Sequence, residues 1–162
     1  MQTTKDYLKF VQKARENQKP KGWKYTSIED FILKNGRQMG IKMEYLPAGI
    51  KRGKPQQCFK NAYLLALEEG FTYCEGYAND IITLMHAWCL DKNKKIIDPT
   101  WKDGKDYFGV EIPIEVADRI MAKSGHYGIL DTWMIEFPFL TGEELLITSY
   151  NKKGGKHREV MI

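Results

Sequence analysis

Residues 57–98, QCFKNAYLLALEEGFTYCEGYANDIITLMHAWCLDKNKKIID, contain the signals that decide the fold. Apolar side chains recur at helical spacing over residues 57–69, and Gly70 follows where helices commonly end in the left-handed conformation. Short apolar stretches come next, and polar turn residues separate them. These stretches predict strands at residues 71–78, 81–90 and 95–98. The pattern therefore indicates a helix followed by an antiparallel meander.

The segment before this unit predicts two helices and a strand. Helical spacing predicts a first helix over residues 4–18, with Phe10 on its apolar face. A second helix is predicted at residues 27–35, because the Ser27 hydroxyl can cap its start and an Asn-Gly pair ends it. Residues 41–45 alternate between apolar and charged side chains, which favours a strand.

The segment after the meander predicts one more strand and one more helix. Residues 107–112 have the composition of a strand, and Pro113 is well suited to begin a helix that Gly125 ends. Residues 133–140 are too apolar for a surface loop, while residues 142–150 fit either a helix or a strand. Helices combined with an antiparallel meander indicate an α+β fold.

Length and composition fit a single globular domain. The chain has 162 residues, of which 43% are hydrophobic and 28% are charged, close to ordinary globular usage. We expect one domain over residues 1–150, with an N-terminal helical part at residues 1–36, and a flexible basic tail at residues 151–162. No apolar run approaches the length of a membrane span, about eighteen residues, and the start lacks a signal-peptide layout. The expected location is the cytoplasm, without membrane contact.

Charge is unevenly distributed along the chain. Residues 1–60 carry fourteen Lys or Arg against five Asp or Glu, a net charge of +9, whereas residues 61–140 carry seven against thirteen, a net charge of −6. The basic part could attract nucleic acid or an acidic protein, but a solvated basic face is the favoured interpretation. The loop Lys51-Arg52-Gly53-Lys54 has the same two interpretations, and contact with an anionic partner is the less favoured one.

Cys58 is the first candidate for chemistry, because it stands in the first turn of the predicted central helix. The free amides and the dipole of a helix N-terminus favour the thiolate, which is the nucleophilic form of cysteine. The same amides, or the side chains of Gln56 and Gln57, could hold a developing oxyanion or bind substrate. The structural alternative is a small buried thiol, which is also the interpretation given to Cys74 and Cys89.

His86 and Asp98 are candidates to act with this thiol. His86 lies 28 residues after Cys58, and Asp98 lies 12 residues after His86 on the next predicted strand. A hairpin makes the two strands neighbours, so the imidazole and the carboxylate can meet while the other ring nitrogen faces the thiol. The alternatives are an ordinary histidine and an Asp that hydrogen-bonds the backbone of a turn. No zinc, nucleotide-binding or H-E-x-x-H motif is present, so neither metal nor cofactor is predicted.

Four short motifs in chain order add a family resemblance to these positions. They are Gln57-Cys58-Phe59 at a helix start, Glu75-Gly76-Tyr77-Ala78, His86-Ala87-Trp88, and Asp98-Pro99-Thr100-Trp101 at a strand end. Together, over residues 56–101, they resemble the transglutaminase-like core of the papain-like cysteine enzymes. The resemblance implies a papain-like fold, in which the helix bearing the cysteine packs on an antiparallel sheet beside additional N-terminal helices.

The resemblance also implies a role for each of the matching residues. Cys58 would be the nucleophile, His86 the general base and acid, and Asp98 the group that orients the imidazole. Trp88 lies two residues after His86, on the same face of the strand, and is predicted to wall the site and bind substrate. The family usually carries a glycine before the nucleophile, where this chain has Gln residues.

The predicted function is acyl transfer from the amide bonds of a protein or peptide substrate through a thioester. The enzyme would be a protease, a deamidase or a transglutaminase-like transferase, and the small size favours hydrolysis. One alternative is a catalytically inert papain-like fold that binds a protein or peptide partner. The other alternative is a binder of nucleic acid or acidic protein that uses the basic residues 1–60.

Overall fold

The computed structural model describes residues 2–144, which form an α+β fold around one antiparallel sheet. The helices are α1 (Thr4–Arg15), α2 (Ile28–Asn35), α3 (Cys58–Glu69), α4 (Ile114–Ser124) and α5 (Pro138–Thr141). The strands are β1 (Arg37–Gln38), β2 (Thr72–Asn79), β3 (Thr83–Leu90), β4 (Ile96–Ile97) and β5 (Asp106–Ile112). Their order across the sheet is β1-β5-β2-β3-β4, and every neighbouring pair is antiparallel.

Local sequence signals determine most of the helix ends. The Ser27 hydroxyl caps α2 by accepting the Asp30 amide hydrogen at 3.2 Å, as the sequence predicts. Gly70 ends α3 and Gly125 ends α4, with left-handed φ angles of +71° and +66°. The predicted central helix, the meander β2-β3-β4 and the later strand and helix are therefore confirmed, with small shifts of their ends.

The helix α3 packs on one face of the sheet and is joined to β3. Its buried residues are Ala62, Leu65 and Ala66. The Cys89 thiol of β3 donates a hydrogen bond to the carbonyl oxygen of Ala62 at 3.2 Å. In the β2-β3 register, Glu75 pairs with Ala87 on this face and Gly76 pairs with His86 on the other face.

The opposite face of the sheet carries His86 and a smaller cluster of buried side chains. That cluster consists of Met39, Cys74, Ala78, Trp88, Leu90, Ile96 and Tyr107. The strand β4 pairs only with Cys89 and Leu90 of β3. Within residues 2–144, therefore, no strand pairs with the outer edge of β3 at His86. The first turn of α3 can thus approach the imidazole around the edge of the sheet.

Two sequence-based expectations about the structure outside the meander are corrected. The predicted strand at residues 41–45 is wrong, because Ile41 is 80% exposed and Tyr45 is 76% exposed, and only an isolated bridge from Lys42 to Ile96 forms. The first strand is instead Arg37–Gln38, paired with β5 at the opposite edge of the sheet. On α1, Phe10 is 67% exposed, because the helix buries Leu8 and Thr4 instead.

The C-terminal part of the described chain is only partly buried. Residues 133–140 contain a short 3₁₀ helix (Trp133–Ile135) and most of α5, and they bury Phe139 and Leu140 but leave Trp133 exposed. Of the segment 142–150, residues 145–150 lie outside the described residues, as do the predicted domain end at 150 and the predicted tail at 151–162.

No helix within residues 2–144 combines the length and the apolar character needed to cross a membrane.

A buried carboxylate fastens the segment after α4 to the sheet. The Glu75 carboxylate accepts hydrogen bonds from the Tyr73 hydroxyl at 2.7 Å, the Ile129 amide at 2.7 Å and the Leu130 amide at 3.1 Å. Burial raises the pKa of Glu75 to about 7, although these three hydrogen bonds act in the opposite direction. The charged form of Glu75 is therefore costly in the folded protein.

Substitution of Glu75 tests this cost through the pH dependence of stability. Because the folded pKa of Glu75 is raised from 4.5 to about 7, the folded chain binds its proton more tightly than the unfolded chain. This group's contribution to the free energy of unfolding therefore falls as the pH rises through that window. We expect Glu75→Gln to flatten the decline in the free energy of unfolding, measured by urea denaturation from about pH 5 to about pH 8.

Glu111→Gln on β5 is the matched control. Although burial opposes the effect, hydrogen bonds from Lys94 and Arg37 hold the pKa of Glu111 below its usual value. Its contribution is therefore lost only at lower pH, and its removal leaves the slope above about pH 5 unchanged. His86 contributes equally in both variants, so the difference in slope isolates Glu75. Equal slopes in the wild type and in Glu75→Gln would contradict the expected cost of the buried charge.

Candidate active site

Cys58 is the first residue of α3, and a sharp turn leads the chain into it. Gln56, two residues earlier, has a left-handed φ of +64°, a conformation that glycine adopts with the least strain. Gln57 is the N-cap residue but makes no side-chain capping hydrogen bond. The partly exposed Cys58 therefore stands at a helix N-terminus that no side chain of the N-cap residue closes.

The loop before Cys58 is fastened to the stretch that contains Asp98. The Gly53 amide donates to the carbonyl oxygen of Pro99 at 2.8 Å. The Asn61 side chain of α3 donates to the carbonyl oxygen of Lys54 and to the Thr100 hydroxyl, both at 2.9 Å. A Cβ atom at Gly53 would collide with the Asn61 side-chain amide, so a larger residue there would displace Asn61 from its two hydrogen bonds. These contacts fix the start of α3 beside Asp98.

His86 and Asp98 form a buried pair. The Nε2 atom of His86 lies 2.7 Å from Oδ2 of Asp98, and the two residues are 5% and 1% exposed. The other carboxylate oxygen, Oδ1, accepts the amide hydrogens of Thr100 at 2.9 Å and Trp101 at 2.8 Å. Asp98 therefore makes both kinds of hydrogen bond considered from the sequence. Its Oδ1 accepts from the backbone of the turn, and its Oδ2 bonds to the imidazole.

A tyrosine from β5 completes the surroundings of this carboxylate. The Tyr107 hydroxyl donates to Oδ2 of Asp98 at 2.7 Å. Burial alone would raise the pKa of Asp98, but the hydrogen bond and charge of His86, the Trp101 amide and the Tyr107 hydroxyl hold it below its usual value. Asp98 is therefore ionised at neutral pH. Sequence reasoning missed Tyr107, because no motif or spacing connects β5 with the end of β4.

The charge of His86 follows from its neighbours. Burial would lower the pKa of His86, but hydrogen bonds with Asp98 and with the Cys58 side chain outweigh burial and raise it to about 9. Since Asp98 engages Nε2, Nδ1 is the ring nitrogen available to the thiol. The structure thus brings together the three residues selected from the sequence, with the imidazole between the carboxylate and the thiol. At neutral pH the imidazole carries a proton that it can give to a leaving group.

Aromatic side chains surround the imidazole. Trp88 stacks on His86 with ring centroids 6.3 Å apart, and Trp101 meets it edge-on at 5.5 Å. Trp88 is fully buried, so it packs against the imidazole on the side away from solvent. Trp101 is partly exposed and borders the site. Trp101 belongs to one of the sequence motifs, but its contact with the His86 imidazole was not predicted, because the spacing of the motifs does not indicate it. Contact between Trp88 and substrate remains a prediction.

The remaining sequence candidates are placed as follows. Gln56 and Gln57 are exposed beside Cys58, and their side chains form no hydrogen bond within residues 2–144, so their oxyanion role remains a prediction. Cys74 and Cys89 are fully buried, and burial raises the pKa of both thiols. In the part of the chain that the structure describes, no cluster of three or more His, Cys, Asp or Glu side chains is arranged to hold a metal ion.

Comparisons with family models, with curated proteins and with solved structures find no match to this chain. The likeness to the transglutaminase-like core therefore rests on the four sequence motifs. The hydrogen bond between His86 and Asp98, with the Cys58 side chain close enough to raise the pKa of His86, is a structural observation that does not depend on that likeness. Any activity must accordingly be argued from the chemistry of these three side chains.

Proposed function

We propose that the chain is a cysteine-nucleophile acyl-transfer enzyme of the papain-like, transglutaminase-like type that acts on amide bonds. The observation that supports the proposal best is the imidazole of His86, placed between the Asp98 carboxylate and the Cys58 thiol, with its pKa raised to about 9. A protonated imidazole beside a thiol stabilises the thiolate, which is the attacking form. The buried carboxylate keeps the imidazole oriented and charged while the thiolate is present.

In the proposed reaction, the thiolate of Cys58 attacks the carbonyl carbon of an amide and forms a carbon–sulfur bond. The oxyanion that develops is held by amides at the start of α3, with the side chains of Gln56 and Gln57 as further candidates. His86 then gives its proton to the leaving nitrogen as the carbon–nitrogen bond breaks, which leaves a thioester and neutral imidazole. The carboxylate of Asp98 stays ionised throughout.

In the second half of the reaction, water or an amine attacks the thioester. His86 takes a proton from the attacking molecule, and the Cys58 thiolate leaves, which restores the starting charges. Water as the acceptor gives hydrolysis, by a protease or a deamidase, whereas an amine gives transamidation. We favour a protein or peptide as the substrate. We favour the cytoplasm as the location, because the cytosol keeps free thiols reduced. Neither half of this proposed sequence requires a cofactor.

The first test measures alkylation of the native protein by iodoacetamide at about pH 6, with peptide mapping by mass spectrometry. We expect Cys58 to react faster than a free thiol, because a neighbouring imidazolium favours the nucleophilic form of the sulfur. Cys74 and Cys89 stay unmodified because they are fully buried. His86→Ala should slow the reaction of Cys58 about tenfold or more.

His126→Ala is the control, since His126 is an exposed histidine outside the site and its removal should leave the rate unchanged. If Cys58 is alkylated at the same rate as glutathione and His86→Ala does not change that rate, the hypothesis of an activated thiolate is wrong. A catalytically inert binding fold predicts that ordinary reactivity.

A second test follows the titration of His86 by NMR. The raised pKa of about 9 predicts that the imidazole signals shift well above the pH at which a free histidine titrates. Asp98→Asn removes the neighbouring negative charge while it keeps the shape of the side chain, so we expect the pKa of His86 to fall by one unit or more. Because His86 must be charged to protonate the leaving nitrogen, the alkaline limb of any activity profile should move in the same direction.

Asp103→Asn supplies the matched control, because Asp103 is an exposed carboxylate in the neighbouring loop. We expect this variant to titrate at His86 as the wild type does. A wild-type His86 that titrates near the ordinary value of 6.5 would show that the carboxylate does not sustain the imidazolium.

A further inference from the structure

The loop before Cys58 carries positive charge that the described structure leaves unpaired. Lys51, Arg52 and Lys54 are all exposed, and none of them forms an ion pair with an Asp or Glu among residues 2–144. The Asp98 carboxylate does not neutralise them, because it is buried and already bonded to His86, to Tyr107 and to two backbone amides. Lys51, Arg52 and Lys54 therefore present exposed cations, without an ion pair among the described residues, in the loop that precedes the candidate nucleophile.

Arg52 is fixed beside the site. Its Nη1 atom donates to the main-chain carbonyl oxygen of Asp98 at 2.9 Å, while Nε and Nη2 have no hydrogen-bond partner within the described residues. Its charge acts within the site: burial and the neighbouring Asp98 raise the pKa of the Tyr107 hydroxyl, and the charge of Arg52 opposes that rise. An exposed guanidinium with one anchored nitrogen and further free donors is well suited to receive a ligand.

The position of the loop is set by packing as well. The amide of Gly53 and the carbonyl oxygen of Lys54 are both hydrogen-bonded, to Pro99 and to Asn61 of α3 respectively. The close approach of Asn61 to Gly53 leaves no room for a side chain there. These contacts hold the loop, and with it Arg52, beside Asp98.

We propose that Arg52 binds a carboxylate of the acyl donor, so that the enzyme selects a protein or peptide with an Asp or Glu close to the reacting amide. This inference rests on the proposed function. The planar guanidinium offers parallel N–H donors that match the two oxygens of a carboxylate. Lys51 and Lys54 add long-range attraction that speeds the approach of an acidic segment.

An acidic peptide fits these observations better than nucleic acid does. The loop beside the site offers three exposed cations, whereas tight binding of nucleic acid commonly involves about six to ten phosphate contacts along a groove or stripe. The free donors of Arg52 also lie beside a candidate centre for amide chemistry, where a substrate side chain would have to bind.

The test compares two alkylating probes that differ in charge. Iodoacetate carries a carboxylate and iodoacetamide is its neutral counterpart, so the ratio of their rates at Cys58 reports attraction for a carboxylate. We expect the wild-type ratio to exceed that of glutathione, and Arg52→Gln to lower the wild-type ratio about tenfold. The Gln side chain is polar and uncharged, so the variant removes the charge of Arg52. Arg52→Lys should retain part of the preference.

Arg37→Gln is the control, because it removes the same charge from β1 at the opposite edge of the sheet and should not alter the ratio. An equal ratio in the wild type and Arg52→Gln would overturn the inference, even where Cys58 stays reactive toward iodoacetamide. Failure of the proposed function is a separate result, since Cys58 would then react with iodoacetamide only as fast as glutathione.

Peptide selection provides a second readout. In a peptide library treated with the wild type, modified sites should be enriched in Asp or Glu near the reacting amide, and Arg52→Gln should abolish the enrichment.

On a matched Glu and Gln peptide pair, the variant should raise KM for the Glu peptide about tenfold and leave kcat nearly unchanged. Modified sites without acidic enrichment would contradict the proposal. A single-stranded oligonucleotide that protects Cys58 where a Glu-rich peptide does not would overturn it in favour of nucleic acid.

Discussion

The buried carboxylate of Asp98 is the constraint on which the rest of the candidate site depends. A charge removed from water is very unfavourable unless hydrogen bonds and an opposite charge compensate it. Here the compensation comes from separate parts of the chain: His86 on β3, Tyr107 on β5 and the two amides that follow Asp98 itself. The geometry of the site is therefore tied to the packing of the sheet.

The same carboxylate connects the charge of the imidazole with the position of the cysteine helix. Asp98 directly follows β4, which is too short to cover the edge of β3 at His86. That opening lets the N-terminus of α3 lie near the imidazole although α3 packs on the other face of the sheet. The contacts of Asn61 and Gly53 with the Asp98 loop then hold the helix start in place. A longer β4 would close the edge and separate the thiol from the imidazole.

The features that could be predicted from the sequence are those set by neighbouring residues. Ser27 and Gly70 fixed helix ends because capping depends on one or two adjacent positions. The meeting of His86 and Asp98 was predictable because a hairpin makes successive strands neighbours.

The features that escaped prediction depend on packing between distant parts of the chain. Tyr107 and Arg52 reach Asp98 from 9 and 46 residues away, and no local pattern reports such contacts. Residues 41–45 alternate like a strand but have no partner edge over their length, since only Lys42 bridges to Ile96. Phe10 fits an apolar helical spacing, yet α1 turns Leu8 toward the core. The spacing of apolar residues alone does not specify which of two adjacent faces of a helix packs against the core.

Two buried carboxylates in this chain show that burial alone does not identify the carboxylate that can stabilise an imidazolium. Glu75 and Asp98 are both removed from solvent and both accept several hydrogen bonds. Burial raises the pKa of Glu75 to about 7 because its neutral donors do not outweigh it, whereas the pKa of Asp98 falls because the hydrogen bond and charge of His86, together with its other donors, outweigh burial. Asp98 and His86 stabilise each other's charges, and the Cys58 thiol lies next to His86. The assignment of chemistry to Asp98 therefore depends on the charge of its partner, a property that neither hydrophobic pattern nor burial reveals.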